Sequence, residues 1–351
     1  MKAPQARVVL TGASGGIGHA SAAALLKAGA TVMLVGRSAP RLAEQARQLV
    51  RETGTDASRV EHRLADLSRP EDLASLSVMA AGWGCNVLVH NAGLASFGHL
   101  QDLRPADVQA VLHTNLIAPM LLTQSLLPHL LAQARAQVIC VGSALGAIGL
   151  PGYSVYSASK FGLRGFAQAL RRELCETSVR VQYLGPRSTR TAFNSEAVEA
   201  YNRATGSAMD RPEQVALELL ALMESEAAER FVGYPEKLAV RLNGLAPSWL
   251  DGSFKKHSRC LPPLAPALLA HSCTVFFGED VMRFVSASNP LTIGATRRRA
   301  TLSLLAAAVM ALSPTVWAAT SDEAVVDLQQ AWESINYRTP PAEREKKFEA
   351  L

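Results

Sequence analysis

Cysteine is scarce in this chain, and organised charge is scarcer. The five cysteines among 351 residues, Cys85, Cys140, Cys175, Cys260 and Cys273, are odd in number, form no Cys-x-x-Cys pair and show no metal-ligand spacing with histidine. A disulfide framework and a zinc module are thereby excluded, and the thiols are expected to be free in a reducing compartment. Charged residues make up 19% of the chain, and the formal net charge of +5 is scattered rather than gathered into a basic helix. Without an RNP, zinc or basic-helix pattern, nucleic acid is not an expected partner and no metal is expected. No targeting segment precedes the first apolar run, Val8-Val9-Leu10, so the N-terminal part is expected in the cytoplasm.

What is present is apolar. Hydrophobic residues make up 48%, enough to bury a sizeable core without disulfide staples. Short β-branched runs recur at Arg7 to Leu10, Thr31 to Val35, Val60 to Leu64, Asn86 to Val89, Gln137 to Val141, Val179 to Leu184 and Arg230 to Gly233. Between them, Ala20 to Ala28, Ala39 to Arg51, Pro105 to Leu131, Ser157 to Glu176 and Pro212 to Glu224 have helical length and period. This alternation predicts an α/β fold with a doubly wound parallel sheet of about seven strands, whose carboxyl ends share one ligand-binding edge.

Two local patterns carry chemistry. Thr11-Gly12-Ala13-Ser14-Gly15-Gly16-Ile17-Gly18 follows the first strand and opens a helix, so the backbone turns sharply where helix N–H groups can meet a pyrophosphate. Tyr156 and Lys160, four residues apart on a helix, share a face, and an ammonium beside a phenol is expected to lower the phenol's pKa from its ordinary value near 10.

The spacing Gly12-x3-Gly16-x-Gly18, followed in order by Asp66, Asn91-Ala92-Gly93, Asn115, Ser143 and Tyr156-x3-Lys160, resembles the short-chain dehydrogenases/reductases over roughly two thirds of the chain. The resemblance implies a single Rossmann-like catalytic domain over residues 1–250 and a hydride-transferring oxidoreductase acting on a carbonyl or alcohol. It implies that Tyr156 is the general acid/base, that Lys160 supports it and holds the nicotinamide ribose, that Ser143 bonds the substrate oxygen and that Asn115 holds a relay water. Gly12, Ser14, Gly16, Ile17 and Gly18 would cradle the cofactor. Asp66-Leu67 would contact adenine, Asn91-Ala92-Gly93 the adenosine ribose, and Pro186 and Thr191 the nicotinamide side. An acidic residue is expected after the second strand in an NAD enzyme, whereas this chain has Gly36-Arg37. A guanidinium there pairs with a 2′-phosphate, so NADP(H) is the expected cofactor.

Several departures accompany the match. His90 stands where a second Asn is frequent, and its presence is expected to cost one local hydrogen bond. Arg187 replaces a usual Gly, which means either that the loop avoids positive φ or that Arg187 reaches toward substrate or cofactor. Ser68, before Pro70, is a candidate helix cap. The segment Thr191 to Ser207, with Phe193 and Tyr201, is the expected substrate loop. With Leu145, Ile148 and Leu150 it suggests an aliphatic or acyl substrate. The family commonly forms homodimers or homotetramers through the helix that carries Tyr156.

Residues 251–290 read as a linker. Residues 291–351 read as a signal-peptide-like or membrane-associating segment with a polar tail: Arg297-Arg298-Arg299, an apolar run from Thr301 to Leu312, then Pro314 to Ala318. Membrane contact is expected, if anywhere, through residues 300–318, whose apolar core falls short of the roughly 20 residues needed to span. This tail leaves two other readings: a membrane-tethered enzyme, or a chain joined to part of a neighbouring exported protein. A non-catalytic nucleotide-binding module is the remaining alternative.

Overall fold

The apolar runs pair as parallel strands because each is followed by an amphipathic helix that returns the chain to the same end of the sheet. The computed structural model describes residues 1–233, 236–245 and 247–262. Among these lie seven strands, β1 (Arg7–Thr11), β2 (Thr31–Gly36), β3 (Val60–Leu64), β4 (Val87–His90), β5 (Ala136–Val141), β6 (Val179–Gly185) and β7 (Glu229–Phe231). They form one parallel sheet in the order β3-β2-β1-β4-β5-β6-β7, the expected doubly wound architecture. The order reverses between β1 and β4, and the crevice outside that point is where such sheets take ligands.

Strand side chains alternate between two cores. Val8, Leu10, Val32 and Leu34 pack on one face with α1 (Gly16–Lys27), α2 (Ala39–Thr53) and α8 (Pro212–Ser225); Val9, Met33, Val35 and Val138 pack on the other with α3 (Pro70–Gly82), α5 (Ala118–Leu131) and α6 (Ser154–Glu173). Proline opens α2, α3 and α8 within the first two positions, where its missing N–H costs nothing.

The structure changes several expectations. Helix α3 has no counterpart among the helices read from sequence, because its apolar residues are interrupted by Ser75 and Ser77. Its N-cap is Arg69, with no side-chain cap bond, so Ser68 is not the cap. The single helix expected over Pro105 to Leu131 is α4 (Pro105–Leu112) joined to α5 by a π-helical turn, His113–Ile117. By length and composition this stretch could cross a membrane, but its residues Leu122, Leu126 and Leu130 are in the core between sheet and α3. The last strand is Glu229–Phe231, earlier than expected.

Three further helices are α7 (Glu196–Thr205), in the expected substrate loop, and, past β7, α9 (Glu236–Leu245) and α10 (Pro247–Leu250). Where a linker was expected from residue 251, a 3-10 turn, Asp251–Phe254, leads into α11 (Lys255–Arg259). The signal-like residues 291–351 and most of the expected linker lie outside the described residues. Among the described cysteines, Cys85 and Cys140 are buried, Cys175 is exposed and Cys260 lies between; all are free thiols.

Candidate active site

The carboxyl edge of the sheet opens on a cavity of about 820 Å³. Its first wall is mostly main chain. Gly12 leaves β1 with φ +63°, and a Cβ there would lie 2.6 Å from the Ala92 Cα, so only glycine lets the turn after β1 touch the loop after β4. Asn91 locks that contact: its Nδ2 donates to the carbonyls of Thr11 (3.1 Å) and Gly12 (3.0 Å). The Thr11 hydroxyl accepts from the N–H groups of Asn91 (3.1 Å) and Ala92 (3.2 Å) and donates to the Val89 carbonyl (3.2 Å). Gly18 sits beneath the Gly12 carbonyl with no room for a Cβ. The N-cap of α1, Gly15, supplies no side-chain acceptor, while Ser14, Gly16, Ile17 and Gly18 line the cavity. A helix start with orphan donors and no obstructing side chains fits a pyrophosphate.

Farther along the same edge, Arg37 is exposed on the cavity's rim and makes no ion pair among the described residues. Asp66 lines the cavity and accepts from the Ser68 N–H (2.9 Å) and hydroxyl (2.8 Å). These bonds, and to a lesser extent Arg37 and Arg69, hold its carboxyl below the usual carboxylate range. Leu67 is shared between the cavity and the core beside α3. His90 keeps rather than loses a bond: its Nε2 meets Thr123 Oγ1 at 2.7 Å, and burial pushes its pKa down to about 3, so it is a neutral link between β4 and α5.

The second wall is built from side chains. Tyr156 lies in the first turn of α6, and Lys160 one turn on, with Nζ 5.7 Å from the Tyr156 ring centre and 3.2 Å from the Val141 carbonyl it donates to. Lys160 is only 4% exposed, and burial pulls its pKa down to about 8. The Tyr156 phenol is pushed up from its ordinary value, not down: burial outweighs the Ser143 hydrogen bond that favours the phenolate. The expected lowering fails in this structure because burial disfavours the phenolate more than its neighbours favour it.

Ser143 caps a 3-10 turn after β5, its Oγ accepting from the Leu145 N–H at 3.0 Å. Sequence reasoning missed what holds it. Tyr183 on β6 reaches under the loop, its hydroxyl accepting from the Ser143 N–H (3.0 Å) and donating to the Ser143 carbonyl (2.8 Å). A Cβ at Gly142 would strike the Tyr183 ring and one at Gly146 its hydroxyl, so both glycines make room for this side chain. The one available signal was a lone aromatic residue in a strand, followed closely by Gly185.

Asn115 sits on the π turn, 1% exposed, and does not line the cavity. Its Oδ1 accepts from the Leu94 N–H (2.7 Å), and its Nδ2 donates to the Leu94 carbonyl (3.0 Å) and Ser159 Oγ (3.1 Å). The π turn shifts the ladder by one residue at this point, a common device at functional sites. Gly93 lies between Asn115 and Lys160, where a Cβ would be 3.4 Å from Asn115 Oδ1 and 3.7 Å from Lys160 Nζ.

Pro186 and Thr191 also reach the cavity: the Pro186 carbonyl accepts from the Ala144 N–H at 2.8 Å, and the Thr191 methyl fills the place of a Gly16 Cβ. Arg187 is not at positive φ, and its Nη2 donates to Asp210 Oδ1 at 2.7 Å. Aromatic residues close the far end, with Phe97 stacked near Tyr153 (4.9 Å) and Tyr201 (5.1 Å), and Phe193 6.2 Å from Tyr156. Phe97 was not anticipated, nor were Phe254 and His257, which line the same cavity.

Residues 6–202 match the family model described as short chain dehydrogenase. The chain is 32% identical over 251 residues to dehydrogenase/reductase SDR family member 7B of Bos taurus, covering 68% of this chain and 77% of that protein. It is 35% identical over 179 residues to ketoacyl reductase HetN of a Nostoc strain, covering 51% of this chain and 62% of that protein. Among solved structures, a short-chain dehydrogenase of Sphingobium yanoikuyae in complex with NADPH superposes with a TM-score of 0.59 at 25% identity, over 76% of this chain and 99% of the other. A metagenomic short-chain oxidoreductase in complex with NADP gives 0.53 at 33% identity, over 64% and 96%.

Proposed function

The chain belongs to the short chain dehydrogenase family, and from that premise we propose that it is an NADP(H)-dependent oxidoreductase that interconverts a carbonyl and an alcohol. The observation that carries this reading is the meeting, in one cavity, of the side-chain-free turn Gly12 to Gly18 with Ser143, Tyr156 and Lys160. Bound there, a nicotinamide supplies or accepts the hydride.

The chain's own part is position and the proton. Tyr156 Oη gives its proton to the carbonyl oxygen in reduction and takes it from the hydroxyl in oxidation. Ser143 Oγ donates to the same oxygen and stabilises the charge developing on it. Lys160, when protonated, favours the phenolate that is left and holds the nicotinamide ribose. Asn115, with its amide committed to Leu94 and Ser159, ties the loop after β4 to α6 and holds the water of the proton relay. Asp66 and Leu67 take adenine, Asn91, Ala92 and Gly93 the ribose, and Pro186 and Thr191 the nicotinamide side.

Arg37 supports NADP(H) over NAD(H): an exposed guanidinium beside the cavity, with no ion pair among the described residues, is available to a 2′-phosphate. The NADPH and NADP complexes of similar structures agree with it. An aliphatic or acyl substrate is supported by Leu145, Ile148 and Leu150 in the cavity and by the relative named as a ketoacyl reductase. Exposed apolar side chains on the π turn, α5 and α6, namely Ile117, Leu121 and Phe161, favour a homodimer or homotetramer. The reading is of a cytoplasmic enzyme; membrane contact would rest on residues 300–318, outside the described residues.

Thermal unfolding with each cofactor tests the reading. At about 100 times its Kd, NADPH is expected to add roughly 2.7 kcal/mol of stability, and NADH less at equal concentration. Arg37→Glu should reverse that preference. No response to either cofactor would remove the enzyme reading, while a wild-type preference for NADH would remove only the role of Arg37.

A further inference from the structure

The cavity has one wall that the hydride-transfer reading leaves unused, and it comes from the segment after β7. Phe254 and His257 line the same cavity as Tyr156. A line of rings connects them: Tyr156 to Tyr153 at 6.2 Å, Tyr153 to Tyr201 at 5.9 Å, and Tyr201 to His257 at 6.0 Å, with Phe254 5.6 Å from His257. Phe254 also packs on Ala147, Ile148 and Val240.

This segment is fastened at three places around the cavity. Lys256 Nζ donates to the Thr205 carbonyl at the end of α7 (3.1 Å), and His99 Nε2 meets the Pro262 carbonyl (2.7 Å). Leu261 is 9% exposed and packs over Gly152 and Phe97. On the neighbouring α7, Asn202 Nδ2 donates to Ser188 Oγ at 3.0 Å. Burial and the neighbouring Lys256 lower the His257 pKa, and its Nδ1 is buried with no hydrogen-bond partner among the described residues. This ring-lined wall, at the other end of the line of rings from Tyr156, suits the far end of an alkyl or acyl chain.

We propose that Phe254 and His257 form the end wall of the substrate site and set the length of alkyl or acyl chain that can reach Tyr156. The proposal rests on the carbonyl-reductase reading above. They are specificity-determining residues, touching the substrate's tail and not its reacting atoms.

The test uses the full chain with NADPH and a homologous series of methyl ketones, reading kcat/KM against chain length. Phe254→Ala and His257→Ala should each raise the ratio of longest to shortest ketone, by about fourfold for every methylene newly buried. The Kd for NADPH should not change, and His257→Phe, which keeps the wall's bulk, should keep the wild-type ratio. Unchanged ratios in both alanine variants overturn the wall. If Phe254→Ala does not fold, His257→Ala decides alone. A wild type that binds NADPH but reduces no ketone of the series overturns the substrate class assigned here; one that binds no NADPH fails at the underlying reading instead.

Discussion

The two ends of the cavity are built from different material. At the β1, β2 and β4 end the contacts centre on main chain: Gly12 against Ala92, Gly18 under the Gly12 carbonyl, and the Asn91 side-chain amide bonded to two backbone oxygens. At the β5 and β6 end the wall is made of side chains drawn from distant segments, with Tyr183 holding Ser143, and Phe97, Tyr201 and His257 converging from a loop and two helices far apart in the chain. An end that accepts a constant ligand can be fixed by steric demands only glycine meets. An end that must suit one substrate among many is fixed by side chains that can be exchanged.

The largest expected effect tests whether the two ends act separately. Tyr156→Phe should cut kcat/KM by about 10²- to 10⁴-fold, the range for a lost general acid/base, while the Kd for NADPH measured by fluorescence titration stays put. A parallel loss of NADPH affinity would break the division.

Lys160 stands on the boundary, and its expected effect is nearly as large but opposite in sign for stability. Its folded pKa of about 8 lies below the ordinary 10.5, so between those values the unfolded chain binds more protons and stability rises with pH. Near pH 7 the cofactor-free protein carries a buried cation at a cost of about 3 kcal/mol. Lys160→Met should therefore raise Tm at pH 7 while abolishing activity, and the gain should shrink as pH climbs from 8 toward 10.5. A lower Tm at pH 7 would mean that the bond to the Val141 carbonyl outweighs the buried charge.

The same division explains what the sequence disclosed. The alternation of strands and helices was legible because a sheet covered on both faces needs continuous apolar runs such as Val32 to Val35. The turn at Gly12 was legible because its spacing is a steric requirement. Helix α3 was not, since serines interrupt its apolar face and its cap makes no side-chain bond. Nor was the direction of the Tyr156 shift, which depends on how deeply α6 is buried rather than on the spacing of Tyr156 and Lys160. Phe254 and His257 lie where composition suggested a linker, and nothing local distinguishes a wall residue from an ordinary apolar one.

The smallest expected effect falls on Tyr183, the residue that joins fold to chemistry. Tyr183→Phe keeps the ring that Gly142 accommodates but leaves the buried Ser143 N–H and carbonyl without the hydroxyl they share. Losing partners for buried backbone groups should cost about 2 kcal/mol of stability by chemical denaturation. Because Ser143 then sits less firmly over the substrate oxygen, kcat/KM should also fall about tenfold with NADPH affinity intact. A stability loss without the catalytic one would make Tyr183 a core residue that happens to touch the site. Both together would show that the substrate end owes its geometry to one hydroxyl on β6, where the cofactor end owes its own to the absence of side chains.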